Sequence, residues 1–118
     1  MANQEHRLQT ACVTWFNLQY PSLRGLLFSI PNGAYTGARQ GAKLKREGVV
    51  SGVSDLILLK SNFKHHGLCI EMKYGNNRPT DRQQEWGSQV ALHGFLYRVI
   101  RDVDSFQKLV NDYIGNNI

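Results

Sequence analysis

At 118 residues and 13.4 kDa the chain can build one hydrophobic core but not two, so a single domain spanning residues 1–118 is expected. Its 14 Lys and Arg residues against 9 Asp and Glu give a formal charge of +5 and a pI near 9.5, a balance that suits a polyanionic partner without establishing one. The opening MANQEHRLQT lacks the apolar run of a secretion signal, and no segment approaches the ~20 apolar residues of a membrane span, so a soluble cytoplasmic protein is expected and a membrane protein is not.

Residues 3 to about 19 read as a helix, with Leu8, Cys12, Trp15 and Leu18 or Gln19 recurring at the spacing of a buried stripe. Carried back by three, the stripe reaches Glu5, with Gln9 one turn on; an acid in a first turn also favours the positive end of the helix dipole. His6 faces elsewhere, as a surface or phosphate-contacting group. Pro21 ends the helix, Leu26 to Ile30 form a short strand, and Pro31-Asn32-Gly33 turn the chain. A helix from Ala34 to Glu47 follows, closed by Gly48. Arg39, Lys43 and Arg46 line one of its faces with Lys45 beside them. Such a face is usually a solvated one, but only Glu47 lies near to balance it, so it is read as a surface for phosphates. Gly48 and Gly52 suggest positive φ or close backbone packing before Asp55, since their spacing is not that of a P-loop.

Two apolar runs, Asp55 to Leu59 and Leu68 to Lys73, flank SNFKHHG and predict an antiparallel strand pair. With the turn centred near Lys64, Asp55 lies opposite Lys73 and Ile57 opposite Glu71, and Asp55, Glu71 and Lys73 share one face. Asp55 and Glu71 are then diagonal neighbours with α-carbons roughly 7–8 Å apart, within reach of one cation. The Met72 side chain points away, though its carbonyl could face the same ion. Oxygen donors of this kind suit Mg²⁺ or Mn²⁺, which can activate a water and neutralise a phosphoryl group while a lysine holds water or phosphate. A plain cross-strand salt bridge between Asp55 and Lys73 accounts for the same residues. His65 and His66, adjacent in the loop, point opposite ways and are read as loop-tip residues rather than a metal pair.

Tyr74 to Pro79 is a turn-rich loop, and Thr80 caps the next helix with Gln83 placed for a capping box. Gln83 also shares a stripe with Trp86, Val90 and Ala91, turned towards the sheet, while Arg78 and Arg82 flank the helix start as candidate phosphate contacts. After His93-Gly94, Phe95 to Arg101 form a strand reached by a helical crossover. A last helix carries Phe106, Leu109, Val110, Tyr113 and Ile114 on one face, and the tail 115–118 is expected to fray. Cys12 and Cys69 match no metal spacing and read as buried thiols in a reducing compartment.

An acid opening one strand and Glu-x-Lys on the next, here Asp55 and Glu71-Met72-Lys73, resembles the signature of PD-(D/E)XK nucleases. Together with Pro31-Asn32-Gly33, the run Gly48-Val49-Val50-Ser51-Gly52-Val53-Ser54-Asp55-Leu56 and Thr80-Asp81-Arg82-Gln83, the chain resembles the VRR-NUC (virus-type replication-repair nuclease) family over nearly its whole length. That resemblance implies an α/β, restriction-endonuclease-like mixed sheet flanked by helices in the order α-β-α-β-β-α-β-α. It implies a metal-dependent DNA endonuclease with Glu5, Asp55, Glu71 and the Met72 carbonyl as ligands of Mg²⁺, replaceable by Mn²⁺. Asp55, Glu71, Lys73 and Gln83 are its implied catalytic group, Gln83 helping to position water, phosphate or Lys73, and Arg39, Lys43, Lys45, Arg46, Arg78 and Arg82 are expected on DNA. Standalone members look like homodimeric resolvases of four-way (Holliday) junctions, which makes junction cleavage in DNA repair the first expectation. A flap or nicking endonuclease on branched DNA is the nearest alternative, and a non-catalytic basic DNA-binding module is another. A bacterial or phage source fits. The last helix, or Trp15 and Phe16, are candidate dimer contacts.

Overall fold

The computed structural model describes residues 2–31 and 38–118. Helix α1 (Ala2–Gln19) leads through a 3-10 turn (Pro21–Leu23) to strand β1 (Leu27–Ser29), then α2 (Ala38–Arg46), β2 (Leu56–Leu58), β3 (Leu68–Met72), α3 (Asp81–Leu92), β4 (Leu96–Ile100) and α4 (Val103–Ile114). This is the α-β-α-β-β-α-β-α order expected from the sequence. Asn32 and Gly33 of the expected turn, and positions 34–37 of the expected second helix, lie outside the described residues.

The four strands form one sheet in the order β1-β2-β3-β4, antiparallel across β1-β2 and β2-β3 and parallel across β3-β4. Parallel strands need a crossover, and α3 supplies it. Side-chain alternation then sorts the strands into two faces. Leu56, Leu58, Leu68, Ile70, Met72, Leu96 and Ile100 point to one, where Cys12 and Phe16 of α1 and Phe106, Leu109, Val110 and Tyr113 of α4 close the core over them. Each such side chain removed from water is worth roughly 1.5–3 kcal/mol, which is what docks both helices. Phe16 is fully buried, so it is core and not a dimer contact, and the α4 face read from the sequence is spent in the same core; Leu18, expected in the α1 stripe, is 78% exposed. Trp15 packs edge-on against Tyr20 and Phe106.

The opposite face carries Ile57, Cys69, Glu71, Tyr97 and Val99, and α3 lies against its β4 side. Thr80 Oγ1 accepts the Gln83 N–H (3.2 Å) while Gln83 Oε1 accepts the Thr80 N–H (2.8 Å), the reciprocal cap expected at this helix start. Gly52 abuts the same turn. Its φ is +86°, and a β-carbon there would lie 2.8 Å from the Arg82 carbonyl oxygen, so only glycine brings the loop before β2 this close to α3.

The hairpin register differs from the expected one. Leu56 pairs with Ile70, Ile57 with Cys69 and Leu58 with Leu68, a slip of two residues that sets Asp55 level with Glu71 rather than Lys73. The loop that fixes this register is organised by Asn62, whose Oδ1 accepts the N–H groups of Lys64 and His65 and whose Nδ2 donates to the carbonyls of Tyr113 and Ile118. The C-terminal tail is therefore tied down and not frayed: Asn116 Oδ1 also accepts the Phe63 N–H, and Ile118 packs on the core. Nor are the two histidines free loop tips, because His65 stacks on Tyr113 and His66 meets Phe95 edge-on.

Candidate active site

Glu71 is the most deeply buried acid of the described residues, 1% exposed. It is held there because β3 is central in the sheet and its odd-numbered face is roofed by the start of α3. Gln83 Nε2 donates to Glu71 Oε2 at 3.0 Å, and Lys73 Nζ, on a side chain 12% exposed, stands 3.8 Å from the same oxygen. Glu71 Oε1 is buried without a hydrogen-bond partner among the described residues. A polar atom left so normally costs about 1–3 kcal/mol.

Asp55 faces Glu71 from β2's entrance, and its Oδ2 accepts the Met72 N–H at 2.7 Å. One carboxylate oxygen thus stitches the two strands where the ladder ends. The Asp55 backbone carbonyl accepts the Ile30 N–H, which ties β1 to the same point. Glu5 arrives from α1: its Oε2 lies 3.5 Å from the Tyr74 N–H, just past β3, a long contact that marks where the carboxylate stands.

These groups act on one another electrostatically. Burial pushes the Glu71 carboxyl up to about 8; the Asp55 charge and its hydrogen bond push the same way, Lys73 opposes, and Glu5 adds to the rise. Asp55 and Glu71 therefore share one region with a single partly buried ammonium, and Glu5 stands outside the pair, by the Tyr74 N–H. The Asp55–Lys73 ion pair that would have explained the triad as plain structure is replaced by a Lys73–Glu71 contact.

The donor chemistry fits a hard divalent cation. The candidates are carboxylate oxygens and a backbone carbonyl, one buried oxygen is unused, and the neighbouring acids raise the proton affinity of Glu71, as they would where a positive charge is called for. Among the described residues no three His, Cys, Asp or Glu side chains are gathered as a ready ligand cage. An opposed pair of acids is an open donor set, the kind Mg²⁺ occupies while keeping several waters.

The remaining sequence candidates are spread around this centre. Gln83 touches Glu71, and it does so with the same amide that caps α3. Met72's side chain is in the core, as expected, with only its backbone at the site. Arg82 Nη1 donates to Ser51 Oγ at 2.5 Å. Arg82, Lys45, Val49, Val50, Ser51 and Trp86 are among the lining of a groove of about 650 Å³ along α3. Arg39, Lys43 and Arg46 are exposed on α2, and Arg78 is exposed on the loop after β3, but none of the four lines that groove.

Two residues escaped the sequence reading. Arg101 Nη1 donates to the carbonyls of Gly75 (2.7 Å) and Asn77 (2.6 Å), clamping the loop that carries Arg78. Tyr97, on β4, buries its hydroxyl beside the acids, and burial followed by the charges of Glu71 and Asp55 pushes the phenol up to about 12. Tyr97 lies on the acid-bearing face of the sheet, but nothing in the sequence marks either residue as special.

A mixed sheet with an acid opening one strand, Glu-x-Lys on its neighbour and a glutamine-bearing helix above them defines a nuclease-type α/β fold. The VRR-NUC domain family matches residues 3–104, and the chain belongs to that family. A solved structure described as a VRR_NUC domain protein is similar over 94% of this chain and 88% of its own length, with a TM-score of 0.82 and 30% sequence identity. No curated protein matches the chain. The family makes this a nuclease of the PD-(D/E)XK type that acts on DNA.

Proposed function

We propose that residues 1–118 form one Mg²⁺-dependent, structure-specific DNA endonuclease domain, in which Mn²⁺ can replace Mg²⁺, and that it acts as a homodimer on four-way junctions in cytoplasmic DNA under repair. The observation that carries this reading is the opposed pair Asp55 and Glu71, with Glu71 raised to about 8. Glu5, Asp55, Glu71 and the Met72 carbonyl would hold the cation, which supplies charge neutralisation at the scissile phosphate and a more acidic bound water. Lys73 Nζ, mostly buried and loosely paired, orients the attacking water as an ammonium or, as the neutral amine, takes its proton; as the water oxygen bonds to phosphorus the bond to the departing deoxyribose oxygen breaks, and that oxygen leaves with a proton from solvent. Gln83 keeps the Glu71 carboxylate turned towards its neighbours. Arg39, Lys43, Lys45, Arg46, Arg78 and Arg82 contact backbone phosphates and supply affinity that does not depend on sequence.

A chain of this size carries one such centre, and cutting two strands at symmetric positions takes two copies. No helix among the described residues is long and apolar enough to cross a membrane.

The test is purified protein offered labelled four-way junctions, flaps, duplex DNA and RNA with Mg²⁺, Mn²⁺ or a chelator, beside a sizing measurement. Paired symmetric cuts in junctions by a dimer are expected. Single cuts by a monomer would replace resolution with flap or nicking activity. Binding without cutting would leave a DNA-binding module, and an Asp55→Ala or Lys73→Ala protein that cuts as fast as the parent would reject the site.

A further inference from the structure

Tyr97 faces Cys69 across the parallel pair, and Glu71 faces Val99, so the tyrosine lies diagonal to Glu71 on the acid-bearing side of the sheet. Helix α3 is shaped to receive it. Trp86 meets the ring edge-on with centroids 6.2 Å apart, and a β-carbon at Gly87 would lie 2.7 to 2.9 Å from three ring atoms. Glycine is a poor residue for a helix interior, so the helix gives up propensity to make room for this ring. A phenylalanine would fill the same space without carrying a hydroxyl into the interior. The hydroxyl is nonetheless there, buried and without a partner among the described residues.

The second orphaned atom is Glu71 Oε1. A carboxylate offers about four lone-pair positions. At Oε2, Gln83 Nε2 takes one and Lys73 Nζ stands near the other; the hydrogen bond between Asp55 and this carboxyl lasts only while one of the two is protonated, so with both ionised the two positions of Oε1 remain. The register sets the tyrosine on the same face as the pair, yet its hydroxyl bonds directly to neither acid. Two buried polar atoms on diagonal residues of one sheet face, neither with a partner among the described residues, are the setting in which proteins hold an internal water.

We propose that Tyr97 is a positioning residue whose hydroxyl donates to a water shared with Glu71 Oε1, fixing the carboxylate and leaving the other Oε1 position for a cation. This rests on the reading of Glu71 as a metal ligand. With Gln83 on one oxygen and the Tyr97 water on the other, Glu71 is oriented from both sides by groups that do not touch DNA. Such outer partners typically set metal affinity by about 10–100-fold.

The test is Tyr97→Phe, which keeps the ring against Gly87 and Trp86, measured in the full chain by Mn²⁺ calorimetry, thermal melting in chelator, and kcat and KM on DNA. Melting no lower than the parent is expected, with the Mn²⁺ Kd raised about tenfold or more, kcat lowered to match and KM for DNA unchanged. An unchanged Kd and kcat would overturn the assignment while leaving the nuclease reading standing; a parent that neither binds Mn²⁺ nor cuts would overturn both. Should the variant not fold, a crystal structure of the parent with Mn²⁺ decides: an ordered water within about 3.2 Å of both Tyr97 Oη and Glu71 Oε1 supports the proposal, and Tyr97 Oη bonded elsewhere refutes it.

Discussion

Replacing Glu71 by glutamine isolates the ionisation at the centre of the site. Burial, then Asp55, holds this carboxyl near 8 against an ordinary value of 4.5, with Lys73 pulling it back. An acid raised in the folded state keeps its proton after the unfolded chain has lost it, so the native chain binds more protons throughout that window. Stability therefore falls as pH rises from 4.5 to about 8 and then levels off. The gap between the two values, at about 1.4 kcal/mol per pH unit, sets a ceiling of about 5 kcal/mol. Glutamine keeps the shape and an oxygen able to accept from Gln83 Nε2, but it cannot ionise. In chelator, urea titrations near pH 5 should find Glu71→Gln and the parent within about 1 kcal/mol, and above about pH 8 the variant ahead by several kcal/mol. Adding Mg²⁺ should restore the parent above about pH 8 and leave the variant unmoved, because the ion competes with the proton for the same oxygens. Stability curves that stay parallel across the window would refute the electrostatic account of the pocket.

Asp55→Asn retains an oxygen for the Met72 N–H, so its melting temperature should stay close to the parent's while Mn²⁺ affinity falls at least about tenfold; Asp55→Ala should in addition lose about 1–3 kcal/mol for the unpaired N–H. Gln83→Ala removes the reciprocal cap and the Glu71 donor together, so about 1–2 kcal/mol of stability by urea titration and about 10–100-fold in Mn²⁺ affinity should go in one change. Truncating Arg39, Lys43 and Arg46 to alanine should flatten the dependence of log Kd on log salt by about 0.9 for each phosphate no longer neutralised, with kcat on saturating DNA unchanged.

The order of elements and the face shared by Asp55, Glu71 and Lys73 were legible because they depend on periodicity, which single residues carry. The register was not. The hairpin loop at 59–67 is shaped by Asn62 reaching both its own loop and the C-terminal tail, a long-range tie with no local mark, and the expected pairing slipped by two. A slip of two preserves the face, so the acids still converged; a slip of one would have parted them. Leu18 and Phe16 exchanged places for a related reason, since several apolar residues crowd the end of α1 and spacing alone leaves the phase of the stripe open. Tyr97 looked like any strand tyrosine. Only the glycine across from it and the missing hydrogen bond single it out, and both belong to packing between elements.

The Gln83 amide couples the helix to the site in time as well as in space. Because one of the two hydrogen bonds that cap the first turn of α3 comes from the same side chain that donates to Glu71, the pocket is incomplete until that helix has wound and docked on the sheet. A chain still emerging or half unfolded carries the acids but not their arrangement. For a nuclease that acts on DNA, folding of this helix and completion of the pocket are thereby a single event.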